Sequence, residues 1–251
     1  MFLENKERGF LCTFRFKKLF FKYSHMLNIK HIFFDLDHTL WDFDKNSKLT
    51  FQQIFDEQKI NVTIDEFLKV YMPINLKYWR LYREDKIEKE ELRYKRLKDS
   101  FTELSFNASD TLIHKISEDY IHYLPNYNHL IEGTIEVLEY LQGNYKLHII
   151  TNGFEEVQNL KLEKSGIKKY FDQIITSECV GVKKPNSKIF EYAFEKANAL
   201  ANESIMIGDS YEADVLGALK VSMLAIYFSL EKKQEQGVLV ISSLTELKQY
   251  L

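Results

Sequence analysis

His31-Ile32-Phe33-Phe34-Asp35-Leu36-Asp37-His38-Thr39-Leu40 is an apolar and aromatic run that stops at two acids one residue apart. Such a run, bounded by charge, predicts a strand buried on both faces, as in the middle of a parallel sheet, with Asp35 at the step from strand to loop. In open α/β sheets ligands bind outside the C-terminal strand ends, so a carboxylate there is a candidate for chemistry, and Asp35 for a nucleophile. A polar turn is the plain alternative for the pair, since Asp is common in turns. The other strand ends decide between the two.

Beyond Trp41-Asp42-Phe43-Asp44 comes a long section, residues 46–127, without glycine and with only Pro73 and Pro125. Apolar residues recur there at three and four spacing, as in Phe67, Leu68 and Tyr71 or Leu112, Ile113, Ile116, Tyr120 and Ile121. That period predicts a bundle of about four helices, with charged runs such as Arg83-Glu84-Asp85-Lys86 and Glu88-Lys89-Glu90-Glu91 on solvated faces. From about residue 128 strands and helices alternate: helix 130–141, strand 146–151, helix 155–164, strand 173–176, helix 186–198, strand 204–208, helix 213–220, then strands at 224–228 and 238–241. Alternation of this kind predicts an α/β fold with a parallel sheet. The expected organisation is therefore one α/β core, residues 26–45 and 128–251, interrupted by a helical insertion at 46–127.

In residues 1–25, Phe14, Phe16, Leu19, Phe20 and Phe21 are interleaved with Arg15, Lys17, Lys18 and Lys22. These charges break the apolar segment a secretory signal needs. A basic helix lying on a membrane surface fits the spacing of Phe16, Leu19, Phe20 and Tyr23; the preferred account is a disordered leader ahead of an initiator at Met26. A composition of 45% apolar and 28% charged residues is that of an ordinary globular protein. The net charge of −3, with both signs mixed along the chain, gives no global attraction to nucleic acid. Cys12 and Cys179 suggest neither a disulfide framework nor a metal site and fit a reducing, cytoplasmic setting. No stretch is long and apolar enough to span a bilayer.

The polar residues gather at strand ends. Asp35 and Asp37 follow the first strand, Thr151-Asn152-Gly153 the second, Gly181-Val182-Lys183-Lys184-Pro185 the third, and Gly208-Asp209-Ser210 with Asp214 the fourth. In a parallel sheet all four converge on one edge. Each alone reads as a turn or a helix cap; together, and in this order, they form an inventory for phosphoryl transfer. Asp35, Asp37 and Asp209 would repel one another without a cation, and hard oxygen ligands beside phosphate and water favour Mg²⁺. An Asp beside such a cation stays ionised and can act as a nucleophile. Thr151 and the amides of Asn152 and Gly153 suit phosphate oxygens. Lys184 adds positive charge, with Lys183 a competitor for the role. Asp214 either orients Lys184 or reaches the cation through water.

At these residues the sequence resembles the haloacid dehalogenase superfamily, whose phosphatases carry Asp-x-Asp, then Ser/Thr, then Lys, then Gly-Asp followed by Asp. The resemblance implies a Rossmann-like parallel sheet core and attack by Asp35 on phosphorus to give an aspartyl-phosphate. It also implies that Asp37 protonates the leaving oxygen and then activates water. Mg²⁺ would be held by Asp35, the main-chain carbonyl of Asp37 and Asp209, with Asp214 behind them. Members that dehalogenate lack the second acid, so Asp37 points to a phosphatase. The insertion resembles a four-helix cap that closes over small substrates. Asp37-His38-Thr39-Leu40-Trp41-Asp42-Phe43-Asp44, Ile150-Thr151-Asn152-Gly153-Phe154 and Val180-Gly181-Val182-Lys183-Lys184-Pro185-Asn186 are similar to the branch with pyrimidine 5'-nucleotidases, although His38 replaces a small or acidic residue. Phe43, Tyr78, Trp79 and Tyr82 are candidates to stack on a base, with bundle core the commoner fate of such residues. The expected activity is Mg²⁺-dependent hydrolysis of small phosphorylated metabolites, nucleoside 5'-monophosphates first, by a monomer or homodimer with no nucleic acid polymer or membrane partner. A sugar-phosphate or phosphoglycolate phosphatase is the alternative enzyme. An idle protein binding a phosphorylated ligand is the rival from another class.

Overall fold

The computed structural model describes residues 28–231, 235 and 237–251, so the expectations for the leader, Cys12 and Met26 lie outside the described residues. Strand β1 (His31–Phe34) is the third strand of six, between β2 (Lys146–Thr151) and β4 (Ser204–Gly208), in the order β3-β2-β1-β4-β5-β6 with every pair parallel. The remaining strands are β3 (Phe171–Thr176), β5 (Leu224–Phe228) and β6 (Leu239–Ile241). Ile32 and Phe34 belong to one buried cluster and Phe33 to another, which is the alternation a strand covered on both faces requires. The amide of Asp35 donates to the Ile207 carbonyl at 2.9 Å, which carries the ladder one residue past β1. Asp35 therefore stands at the C-terminal edge of the sheet.

Between β1 and β2 lie four long helices: α1 (Phe43–Gln58), α2 (Ile64–Arg83), α3 (Lys89–Glu103) and α4 (Asp110–Tyr123). Three begin at side-chain caps. Asp42 accepts from the Lys45 amide at 3.1 Å, Thr63 and Glu66 cap each other reciprocally, and Ser109 accepts from the Leu112 amide at 3.2 Å. The rings of Phe51, Phe55, Phe67, Tyr71, Phe101 and Tyr120 interlock between them, with Phe51 and Tyr120 stacked at 4.5 Å and Phe55 and Phe67 edge-on at 4.8 Å. Each phenylalanine buried here contributes about 1.5–3 kcal/mol of transfer free energy. The aromatic core runs without a break into the apolar layer on one face of the sheet.

Strand β3 starts two residues before the expected 173, and two helices depart further from their expected form. Helix α5 (Thr134–Leu141) starts later than residue 130, because Leu130 forms an antiparallel bridge with Trp41 and the Ile131 amide donates to the Leu40 carbonyl at 3.0 Å. Gly133, at φ +83°, makes the turn into the helix. After α6 (Glu155–Lys164), α7 (Ser177–Val180) and α8 (Ser187–Ala197), the single helix expected at 213–220 is a π-helical turn, Tyr211–Leu216, that runs into α9 (Gly217–Lys220). The wider turn accompanies Asp214 reaching back, where its Oδ2 accepts from the Ser210 amide at 2.9 Å.

Candidate active site

Lys184 is the hub. Its ammonium donates to Asp35 Oδ1 at 2.6 Å and to the Ile150 carbonyl at 2.6 Å, and lies 2.7 Å from Asp214 Oδ1. Two of its three protons are thus spent on Asp35 and Ile150, the contact with Asp214 is an ion pair, and the side chain is buried. Burial disfavours the charge, but Asp214 and then Asp35 outweigh it and hold the amine above the ordinary lysine range. Lys183 points elsewhere, 2.5 Å from Asp85 and over the Tyr82 ring. The structure thus separates the two lysines that the sequence left in competition.

Asp35, Asp209 and Asp214 each offer an oxygen within 4.8 Å of the others. Burial pushes Asp35 well above the usual carboxylate range; Lys184 opposes this, and Asp214 and Asp209 add to it. Burial and Asp214 push Asp209 up to about 7. Two buried carboxylates and one partly buried one, with a single ammonium, leave an excess of negative charge that adds to the effect of burial. A hard divalent cation is the group this donor set fits. Both oxygens of Asp214 are engaged, by Lys184 and by the Ser210 amide. Asp35 Oδ2 and the Asp209 carboxylate are the freer donors, Asp209 accepting one long bond of 3.3 Å from the Thr39 hydroxyl. Thr39 also accepts from the Asp209 amide at 3.1 Å, which ties the loop after β1 to the loop after β4.

Thr151 Oγ1 accepts from Gln158 Nε2 at 2.7 Å and from the Gly153 amide at 3.1 Å. With both lone pairs taken, its own proton remains to donate, which suits a phosphate oxygen. The Asn152 side chain is spent within the protein: its Oδ1 accepts from the Lys184 amide at 2.8 Å and its Nδ2 donates to the Lys184 carbonyl at 3.0 Å. It braces the loop that carries the lysine. A Cβ on Gly153 would come within 2.4 Å of Gln158, so only glycine lets that glutamine pass.

Asp37 points away from the other acids. Lys161 Nζ donates to its Oδ1 at 2.6 Å and Gln158 Nε2 to its Oδ2 at 2.9 Å. Lys161 is buried against Trp41, 4.3 Å from the ring, and burial lowers its pKa although Asp37 opposes this. Neither α6 residue stands out in the sequence, where Gln158 and Lys161 look like one polar edge of a helix. Their spacing of three is the available signal, because it puts both on one face. His38, between the two acids in the chain, holds φ +61° and packs on Phe43 at 4.9 Å.

Above Asp37 opens a small pocket between the core and the helical insertion. Asp37, Gly153, Gln158 and Lys161 line its floor, and Phe43, Trp79, Arg96 and Tyr120 come from the insertion. Trp79 stacks on Phe154 at 5.3 Å. Tyr78 and Tyr82 are instead buried packing residues, whereas Phe43 and Trp79 reach the pocket wall. Ion pairs close the seam beside it: Lys89 with Glu178 at 2.8 Å, Arg83 with Glu212 at 3.3 Å, and Arg93 with Glu156.

Residues 32–227 match the family model for haloacid dehalogenase-like hydrolases. The chain belongs to that family. The hydrolase is 33% identical to the pyrimidine 5'-nucleotidase YjjG of Escherichia coli, over 88% of this chain and 96% of that protein. It is 29% identical to a glyceraldehyde 3-phosphate phosphatase of Methanothermobacter thermautotrophicus, over 89% of this chain and all of that protein. Among solved structures, the HAD-hydrolase YfnB of Bacillus subtilis, bound to magnesium, superimposes with a TM-score of 0.80 at 29% identity, covering 88% of this chain and 98% of that one.

Proposed function

We propose that this hydrolase is a Mg²⁺-dependent phosphatase acting through an aspartyl-phosphate on small phosphomonoesters, nucleoside 5'-monophosphates first. The observation that carries the reading is Asp35, fixed through Oδ1 by Lys184 at 2.6 Å with Oδ2 left for attack, beside Asp209 and Asp214. Asp35 Oδ2 forms the bond to phosphorus while the bond from phosphorus to the ester oxygen breaks. Asp37, on the pocket side, gives that oxygen its proton; it then takes a proton from the water that hydrolyses the acyl phosphate and restores Asp35. Lys184 and the Thr151 hydroxyl hold phosphoryl oxygens. Mg²⁺, held by Asp35, Asp209 and the Asp37 main-chain carbonyl, would neutralise charge on the phosphoryl group and the acids.

The helices of residues 46–127 serve as a cap over this site, and their closure excludes bulk water. The magnesium-bound relative, described with interdomain movement, supports both the ion and the cap. The nucleotidase relative and the wall of Trp79, Phe154 and Tyr120 favour a planar base in the pocket. The glyceraldehyde 3-phosphate phosphatase relative keeps sugar phosphates as the second reading. The enzyme would work in the cytoplasm as a monomer or homodimer.

The test is phosphate release from a panel of nucleoside monophosphates and sugar phosphates, with and without Mg²⁺, using Asp35→Asn as the blank. Release is expected only with the ion and only from the protein with Asp35. Undiminished release by a folded Asp35→Asn protein overturns the mechanism.

A further inference from the structure

Among the described residues, three cationic side chains are buried: Lys184, Lys161 and Arg96. The first two sit on carboxylates, Lys184 on Asp35 and Asp214, Lys161 on Asp37. Arg96, on α3, is 2% exposed and has no carboxylate within ion-pair distance among the described residues. Its Nη1 donates to the neutral Asn75 Oδ1 at 3.0 Å, an oxygen that also accepts from the Tyr71 hydroxyl at 3.3 Å. The guanidinium lies 5.2 Å from the Tyr120 ring and 5.9 Å from the Tyr71 ring, and its Nε has no hydrogen-bond partner. Ring faces, one amide oxygen and the neighbouring Tyr71 hydroxyl offset only part of the desolvation of a guanidinium with five N–H donors. A packing role alone would be met by an apolar side chain of the same length.

Arg96 lines the pocket whose floor is Asp37. On the phosphatase reading, on which this inference rests, the ester oxygen faces Asp37 and the alcohol part of the substrate fills the space beyond. We propose that Arg96 is a substrate-binding residue that selects phosphomonoesters whose alcohol part carries an acceptor oxygen, either a carbonyl on a planar ring or a carboxylate. The aromatic wall holds the body of that group and Arg96 donates to its oxygen. Because the contact lies on the leaving-group side, it discriminates among esters and leaves the phosphoryl chemistry to Asp35 and Lys184.

The experiment measures kcat/KM for wild type, Arg96→Met and Arg96→Lys on uridine 5'-monophosphate, 2-phosphoglycolate and phenyl phosphate, the last having a planar ring without an acceptor. A charge-assisted hydrogen bond predicts that the preference for the acceptor-bearing ester over phenyl phosphate falls about 10- to 100-fold in Arg96→Met, mostly through KM, and is partly regained in Arg96→Lys. Which of the two esters responds separates ring carbonyl from carboxylate. An unchanged ratio, with phosphate still released, overturns the inference and spares the phosphatase reading; no release from any ester by wild type overturns both. Inhibition of wild-type turnover of phenyl phosphate needs no variant: uridine must inhibit more strongly than ribose, or glycolate more strongly than ethylene glycol, and equal inhibition in both pairs overturns the inference.

Discussion

His148 lies in the middle of β2, fully buried, opposite Phe33 in the β1 register and 3.0 Å from His31 through Nε2. Burial, with His31 and Lys146 adding to it, lowers its pKa from 6.5 to about 3. The folded chain therefore keeps the ring neutral while the unfolded chain takes up a proton below about 6.5. The stability tied to the neutral ring is full above that value and is lost as the pH falls toward 3. For one proton the linkage relation gives a loss of about 1.4 kcal/mol between pH 7.5 and 5.5. Asp209 works in the opposite sense when no cation is bound: its folded pKa of about 7 lies above the unfolded value, so its contribution is present at low pH and fades as the pH rises through 7. A wild-type profile alone would mix these two with His31, whose pKa burial also lowers. His148→Leu removes the histidine's proton and leaves Asp209 as it was, so the comparison of the two proteins cancels the acid. Urea unfolding in a chelator at both pH values is the assay. Wild type should lose about 1.4 kcal/mol more than His148→Leu between pH 7.5 and 5.5; equal losses would refute the claim that the sheet excludes a proton from this ring.

Two further outcomes follow from the site. A Cβ on Gly208 would stand 2.3 Å from Asp214 Oδ2, so Gly208→Ala must push Asp214 off Lys184; it should cost about 1–3 kcal/mol in urea unfolding and more than a tenth of the turnover should not survive. Lys161→Met removes the ammonium that aims Asp37. Turnover of an alkyl phosphate, whose poor leaving group needs the proton, should fall at least tenfold further than turnover of phenyl phosphate, with partial recovery in Lys161→Arg; equal falls on both esters would assign Lys161 to packing.

The end of the site proposed to hold phosphate is legible in the sequence because Asp35, Thr151 and Asp209 sit where strands stop, with Lys184 in the loop beyond β3. Asp35, Thr151 and Asp209 need only the strand assignment and a parallel sheet to come together, and the register supplies both. The different placement of Lys183 and Lys184 is local as well, with Asn152 gripping the Lys184 main chain from both sides. Helix edges are less secure. Leu130 fits a helical period, yet its pairing with Trp41, far away in the chain, overrides it.

The end proposed for the alcohol part is not legible in the same way. Arg96 stands in Arg93-Tyr94-Lys95-Arg96, a run that by composition belongs on a solvated face, and Lys89 lies in another such run. In the fold Arg96 is buried between Tyr71 and Tyr120, and Lys89 reaches Glu178 on the core. Only the docking of α2, α3 and α4 on one another, and of α6 beneath them, turns these polar residues inward. A site whose chemistry is set by strand ends and whose selectivity is set by helix packing can keep the first while the second changes. Relatives at 33% and 29% identity, one named for a nucleotide and the other for a triose phosphate, are what such a division would produce.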